Sequence, residues 1–362
     1  MKIVSIVGDC YINMLVRASR NVEDLVELKA YSTRRLEEEP ERLEPVLEEA
    51  AGADIIFLYR STETFWETIE GRLRDMGKKV PIVCVGYDPS YWMLSTVKPE
   101  VVAKTYSYLV INGEENFTNM LRYILREVGG LDLEVEEPKS VPWEGLYHPE
   151  APGIFSTIEE YLEWYKSYKS YKSYIALLFS RHYWVNDNLE VEDTLIGELE
   201  ALGLGVIPAF SYSIKDEERG CKGSGEVVCE YFLQEDGSPR IDAFIKLQSF
   251  FLGNSLDKEF DDKEVARGGV DILKRLDVPV FSPVTSSYRT IEQWKNDREG
   301  LGSAIGWSIA LPEFEGVIEP FIIGGASNED GDLQRRMPIQ ERCRKVARRV
   351  ANWVRLRQKA IQ

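Results

Sequence analysis

The run Ala53-Asp-Ile-Ile-Phe-Leu-Tyr59 decides how this chain reads. It has almost no polar face, so a strand built from it must be covered on both sides. That is the situation of a parallel strand between two helical layers. Val80-Pro-Ile-Val-Cys-Val85 has the same character and stops at Gly86. Lys2–Val7 is a short β-branched run ahead of both, and Asp24–Ala30 is a weaker one. Helical periodicity fills the intervals, at Pro40–Ala51, Glu63–Met76 and Gly113–Val128. In the last, Phe117, Met120, Leu121, Ile124 and Leu125 fall on one face, and Gly129-Gly130 ends the pattern. This alternation predicts an open, doubly wound α/β unit.

Outward from that unit the pattern recurs. Leu131–Pro152 is rich in Glu and Pro and reads as a link. Strands are expected at Tyr174–Ser180, Gly205–Phe210, Asp242–Leu247, Val278–Pro283 and Gly306–Leu311, with helices at Val191–Leu202 and Lys263–Leu276. The chain closes on a helix near Ile339–Ala360, whose stripe is Ile339, Cys343, Val346, Val350, Trp353 and Val354. The expected fold is α/β: two or more Rossmann-like (flavodoxin-like) parallel-sheet units packed together, with a C-terminal helix. The expected boundaries are 1–135, a linker at 136–152, a second α/β region at 153–332, and a basic amphipathic helix at 333–362 that leads into further domains.

Composition narrows the function. The 362 residues are 44% hydrophobic and 29% charged, with 8 Trp, 18 Tyr and 14 Phe, which excludes a disordered chain. No apolar stretch is long enough to span a membrane, and the opening run Ile3–Val7 is too short for a signal peptide. Five scattered cysteines (Cys10, Cys84, Cys221, Cys229, Cys343) fit a reducing cytoplasm. The net charge is −17; residues 333–362 carry ten Lys or Arg against one acid, so +9 sits there and −26 on the rest. A general nucleic-acid binder needs the opposite sign.

No GxGxxG follows the first strand and no GxxxxGK[ST] occurs anywhere, so ATP chemistry is not expected in this chain. Gly220-Cys-Lys-Gly-Ser-Gly225 reads as a turn, and Cys221 and Cys229 lack the spacing of a zinc site. Tyr165-Lys-Ser-Tyr168-Lys-Ser-Tyr171-Lys-Ser-Tyr174 places Tyr at every third residue. At 3.6 residues per turn these rings drift around a helix. A solvated helix end or linker is the expectation, with a stacking platform as the sharper alternative.

Three places carry chemistry-bearing residues. His148 lies in Gly145-Leu-Tyr147-His148-Pro149. His182 lies in Arg181-His182-Tyr183-Trp184, just past the strand 174–180. Glu313 lies in Leu311-Pro-Glu313-Phe-Glu315-Gly316, just past the expected strand 306–311. Carboxyl ends of strands are where α/β sheets bind ligands.

Taken in order, these segments resemble one family. The carriers are Ile111–Leu125, the GxYHP element Gly145–Pro149, Tyr161–Tyr165, Ile175–Trp184, Asp193–Phe210, Ile241–Gly253, Leu276–Pro283, Glu292–Leu301 and Leu311–Gly316. The collinear set resembles the large subunit of cobaltochelatase and the related H subunit of magnesium chelatase, from about residue 100 onward. Members are much longer, so the resemblance implies an N-terminal portion. Many relatives carry Asp where this chain has Glu315, and the Tyr-Lys-Ser tract is not a family element.

The resemblance implies ATP-dependent insertion of cobalt into a corrin-type ring in cobalamin biosynthesis. The partners would be a tetrapyrrole like hydrogenobyrinic acid a,c-diamide and AAA+ ATPase subunits, which use ATP and magnesium. Metal insertion needs acceptors for two pyrrole protons, ligands for a dehydrating cation and cations for the ring's acidic arms. The expected assignments are Glu313 and His148 for catalysis and metal, and Arg181, His182, Tyr147 and Trp184 for the substrate. A non-catalytic tetrapyrrole-binding or scaffolding module, or a magnesium chelatase subunit, is the alternative.

Overall fold

The computed structural model describes all residues except 62–63, 250, 254–261, 299, 302–304, 318, 328–334 and 361–362. The chain divides into two compact units. The first runs from Met1 to Val141, and the second contains Pro142–Asn328 and Arg335–Gln362. The first two residues of the expected basic segment, 333 and 334, lie outside the described residues.

In the first unit, β1 (Lys2–Val7) is followed by α1 (Asp9–Arg20), β2 (Glu27–Ser32), α2 (Thr33–Glu38), α3 (Leu43–Ala51) and β3 (Ile55–Tyr59). Then come α4 (Phe65–Met76), β4 (Ile82–Val85), α5 (Pro99–Ile111) and α6 (Glu114–Glu127). The four strands are parallel in the order β2-β1-β3-β4. The run quoted first behaves as its composition demands. Ile55 and Phe57 pack with α1, α5 and α6, while Ile56 and Leu58 pack with α3 and α4. Residues 131–141 form no regular element but are tied to α6. Asn116 donates to the Lys139 carbonyl (2.8 Å) and accepts from the Lys139 amide (2.8 Å), and Asn119 accepts from the Glu136 amide (3.2 Å).

The second unit begins with β5 (Gly145–Leu146), α7 (Ile158–Tyr168), β6 (Tyr174–Ser180), α8 (Arg181–Val185), α9 (Glu190–Glu200) and β7 (Gly205–Ser211). It continues with α10 (Ser224–Phe232), β8 (Ala243–Lys246), α11 (Asp262–Leu276), β9 (Val280–Phe281), β10 (Pro283–Thr290) and α12 (Ile291–Asn296). It ends with α13 (Leu311–Phe314), β11 (Phe321–Ala326), β12 (Arg336–Pro338) and α14 (Gln340–Ala360). The main sheet has the order β5-β7-β6-β8-β9, parallel except for β5. A smaller sheet, β10-β11-β12, joins it. Ile175, Leu177 and Phe179 face α9 and α14, and Ala176 and Leu178 face α7 and α10. The basic C-terminal helix buries Cys343, Val346, Val350 and Val354 in this core, but Trp353 is 44% exposed, so it leaves the expected stripe.

One expected strand is a helix. Gly306–Ala310 is a π-helical turn that continues into α13, with Pro312 in the first turn. A short apolar run fits either state, and Pro is tolerated in a helix's first turn but not inside a central strand. Val278–Pro283 is also divided: only Val280–Phe281 joins the main sheet, and Pro283 begins β10 in the other. Helices α1 and α5 have no counterpart in the sequence reading. Among the described residues no helix is long and apolar enough to cross a membrane.

Candidate functional site

In the second unit the parallel strands β7-β6-β8-β9 take the order second, first, third, fourth. The chain from β6 returns on one side and later elements on the other. The crevice at the carboxyl ends of β6 and β8 is therefore the topological switch point, where such sheets bind ligands. Arg181 and His182 follow β6 directly, and Lys246 and Gln248 close β8.

Arg181 is buried, 3% exposed. Its Nε donates to the Pro142 carbonyl at 2.6 Å, and its guanidinium lies 4.4 Å from the Trp143 ring centroid. Trp143 meets Tyr212 edge-on at 5.3 Å. Desolvation pulls the Arg181 pKa down to about 10, against nearby Cys221, Tyr212 and Glu144. A cation held at that cost, against an aromatic ring at a sheet's ligand end, is suited to a carboxylate-bearing guest. Gln248 cross-links the same end. It donates to the Phe179 carbonyl (2.9 Å) and Ser211 Oγ (2.8 Å), and accepts from Ser224 Oγ (2.5 Å).

The other substrate candidates gather close by. Ser180 caps α8 by accepting from the His182 amide at 3.3 Å, which sets His182 and Trp184 on a short helix. Trp184 stacks on Phe210 at 4.4 Å and 9°. Phe210 meets Phe179, and Phe179 meets Tyr147. The Tyr147 hydroxyl donates to Asp193 at 3.0 Å. Asp193 is pushed up to about 6, first by desolvation and then by neighbouring Glu192, Glu190 and Asp187. His182 is pushed down to about 4 by desolvation and by the charges of Arg336 and Arg181, so it is neutral at pH 7. Arg336 pairs with buried Glu192 and lies 3.4 Å over the Tyr183 ring. Arg181, His182, Tyr147 and Trp184 thus sit around one end of one sheet, with Tyr147 and Trp184 already used in packing.

Two expectations are corrected here. His148 does not join this group. Tyr147 turns to the α9–α14 face and His148 to the other, as successive residues of an extended chain must. His148 is 2% exposed, its Nε2 lies 3.2 Å from Glu200, and its Nδ1 accepts from the Glu150 amide at 3.2 Å. Desolvation lowers its pKa, against the pull of Glu200. Glu200 lies at the end of α9 and also takes the Tyr165 hydroxyl (2.6 Å), and that hydroxyl accepts from the Val206 amide (3.0 Å) at the start of β7. His148 therefore stands toward the amino end of the sheet, inside an aromatic cluster.

That cluster explains the tyrosine tract. Helix α7 ends at Tyr168 and the chain turns extended, so Tyr171 and Tyr174 fold back onto Tyr165, at 5.5 and 6.3 Å. Trp164 stacks on Tyr168 (5.4 Å, 7°), and His148 meets Trp164, Tyr165 and Tyr168 within 5.5 Å. The intervening Lys and Ser residues 166, 167, 169, 170 and 172 are exposed. The expected helix end is present, but its rings are packed rather than solvated. Similarly, Gly220 makes the expected turn, while Ser224 and Gly225 open α10. A Cβ on Gly225 would stand 2.7 Å from the Leu252 carbonyl oxygen.

The second correction concerns Glu313. With 306–311 helical, Glu313 does not end a strand; it is exposed on α13 and makes no contact with His148 or Arg181 among the described residues. The interior carboxylate is Glu315, two residues on. Its Oε2 faces Lys246 Nζ at 3.1 Å with both side chains fully buried, and its Oε1 accepts from the Leu252 amide at 2.6 Å. Desolvation raises the Glu315 pKa and lowers that of Lys246, each opposed by the other's charge. Gly269 of α11 makes the room: a Cβ there would stand 2.6 Å from Glu315 Cδ. Lys246 and Gln248 were findable, since polar residues closing an apolar strand mark its ligand end. Glu315 was not, because the strand reading of 306–311 aimed the wrong carboxylate inward. Among the described residues, no group of three or more His, Cys, Asp or Glu is placed to hold a metal ion.

Fold and site together define an α/β protein whose second unit holds a buried cation against an aromatic ring at the switch point of its sheet. Residues 106–362 match the CobN/Magnesium Chelatase family, and the chain belongs to it. An uncharacterized protein of Methanocaldococcus jannaschii is 40% identical over 335 residues, covering 92% of this chain and 25% of its own length. The magnesium-chelatase H subunit of Chlorobaculum parvum is 27% identical over 345 residues, covering 86% of this chain and 25% of its own. The catalytic subunit of cobaltochelatase from Mycobacterium tuberculosis shares the fold, with a TM-score of 0.59 at 18% identity, over 99% of this chain and 27% of that one. The chain thus spans about a quarter of the length of these curated relatives.

Proposed function

We propose that this chain is the N-terminal part of the large, tetrapyrrole- and metal-binding subunit of an ATP-dependent metal chelatase. The metal we assign is cobalt, inserted into a corrin-type ring such as hydrogenobyrinic acid a,c-diamide during cobalamin biosynthesis in the cytoplasm. Separate AAA+ subunits hydrolyse ATP with magnesium. The observation that carries the reading is Arg181, a guanidinium 3% exposed and packed against Trp143 at the switch point. Tetrapyrroles bring flat apolar faces and carboxylate arms, and this is a combination of aromatic wall and buried cation.

The residues divide the work. Arg181 takes an acidic arm of the ring. Trp184 and Tyr147 shape the apolar wall through Phe210 and Phe179. His182, neutral at pH 7, is an acceptor for a departing pyrrole proton. Glu313, exposed on α13, is a carboxylate free to meet a hydrated cation. His148, with both ring nitrogens engaged, supports the fold and binds no metal.

That engagement of His148 favours a second reading, a tetrapyrrole-binding or scaffolding module without its own metal chemistry. Titration of the chain with hydrogenobyrinic acid a,c-diamide, followed by absorbance, tests the first part. Reconstitution with the rest of the subunit, the ATPase partners and cobalt tests the second. Saturable binding that Arg181→Lys weakens, with cobalt insertion that Glu313→Gln slows, supports the chelatase reading. Binding with insertion indifferent to Glu313 and His182 supports the module. Preference for a porphyrin and magnesium would move the assignment to magnesium chelatase.

A further inference from the structure

Away from the switch point, β9, the start of β11 and α14 line a half-open pocket of about 220 Å³. Its floor is Phe281, Pro283, Phe321 and Val346. Phe281 belongs to the face packed by α14, whereas Lys246, two residues after Phe244, belongs to the opposite face. The cavity is therefore separate from the Lys246 cluster. Apolar cavities of roughly 150 Å³ already take up benzene. This one suits a single ring with a short chain.

Its rim is cationic, and of the two cations that line it only Lys345 has no ion pair among the described residues. Arg349 is held by Glu319, with Nε donating at 2.6 Å and Nη2 to the second oxygen. Glu319 adopts φ +76°, a left-handed backbone that a non-glycine residue keeps only when its surroundings demand it. Strained residues of this kind gather at ligand clamps. Lys345 is exposed, lies 5.3 Å from the Phe321 ring centroid, and has no ion pair among the described residues. The Arg342 guanidinium, 3.9 Å from the same centroid, adds to the positive potential. An apolar floor, a neutralised clamp and one unpaired ammonium select a monoanion with an apolar body.

We propose that this cavity binds a small monocarboxylate no larger than one ring with a short chain, its carboxylate on Lys345 and its ring on Phe321 and Val346. This ligand is distinct from the tetrapyrrole assigned to Arg181, so either assignment can fail alone.

The test uses the 362-residue chain and 3-(4-fluorophenyl)propionate, followed by fluorine NMR. Saturable binding is expected with a Kd of about 1 mM or tighter, and the matching alcohol should bind at least about fivefold more weakly. Lys345→Glu, at an exposed position that leaves the core intact, should weaken the acid at least about tenfold, and Lys345→Arg should keep it within about threefold. Val346→Phe, which fills the floor, should abolish binding while the Lys345 variants keep the test valid if it fails to fold. No saturation by about 10 mM, equal binding of acid and alcohol, or binding indifferent to Lys345→Glu would each overturn the proposal.

Discussion

Replacing Glu315 by Gln should destabilise the second unit more than any surface change, and the reason lies in Lys246. The two charged groups face each other at 3.1 Å with no side-chain exposure. At an effective dielectric near 20, such a pair attracts by about 5 kcal/mol. Gln keeps the shape and the acceptor for the Leu252 amide but removes the charge. Beyond Glu315, Lys246 Nζ has no polar partner among the described residues. It must then sit uncompensated or give up its proton, which its lowered pKa favours. Breaking a buried pair from one side typically costs about 3–5 kcal/mol. For a unit of this size, that is roughly 6–20 °C in Tm. Urea and thermal unfolding followed by tryptophan fluorescence should show this for Glu315→Gln and for Lys246→Met. The double variant Lys246→Met/Glu315→Leu should recover most of the loss, because two apolar groups replace two desolvated charges. A cost below about 1 kcal/mol for Glu315→Gln, or additive single effects, would refute the reasoning.

Gly269→Ala should cost about 1–3 kcal/mol in the same assay, because the new methyl meets Glu315 Cδ at 2.6 Å. Asp193 is an acid with a raised pKa, so the folded state holds its proton longer than the unfolded one, and stability falls as pH rises from near 4 to about 6. Asp193→Asn should flatten that fall by about 1 kcal/mol after allowing for its partial exposure, as read from urea midpoints across that range. His148 has a lowered pKa, so its contribution is present above the ordinary histidine value and is lost as pH falls below it. His148→Gln should weaken that acid-side loss and leave tetrapyrrole affinity unchanged.

The parallel strands were legible because nothing in Ala53–Tyr59 or Tyr174–Ser180 offers a polar face, and the second of these is a strand over those same residues. Periodicity also located α6 within one residue at each end. Gly306–Leu311 was not legible: it is too short for its period to show, and the contacts that Glu315 makes just after it, with Lys246 and Leu252, are far away in sequence. The aromatic cluster at His148 was hidden for another reason. A three-residue repeat scatters on a helix, and the rings meet only because the chain leaves the helix after Tyr168. Arg181 was legible from its place after β6, which topology alone assigns to the ligand end.

The two units offer an internal comparison of their ligand ends. Both parallel sheets have the order second, first, third, fourth, so both have a switch point between first and third strands. In the first unit that end carries Asp9 paired with Arg34, at side-chain exposures of 19% and 16%, and Arg60 paired with Glu70 at 17% and 28%. These pairs keep some water within reach, so their ions are less dehydrated than fully buried ones. In the second unit the corresponding end carries Lys246 and Glu315 at 0% and 0%, and Arg181 at 3%. Topology is the same, but among the described residues the charges at that end are fully dry in the second unit and partly wet in the first. A fold that needed only stability could fill those positions with apolar residues at no loss. Charges kept dry at a ligand end are instead ready to interact strongly with a charged guest, because little solvent must be displaced from them. This contrast supports placing the proposed substrate recognition in the second unit, between β6 and β8.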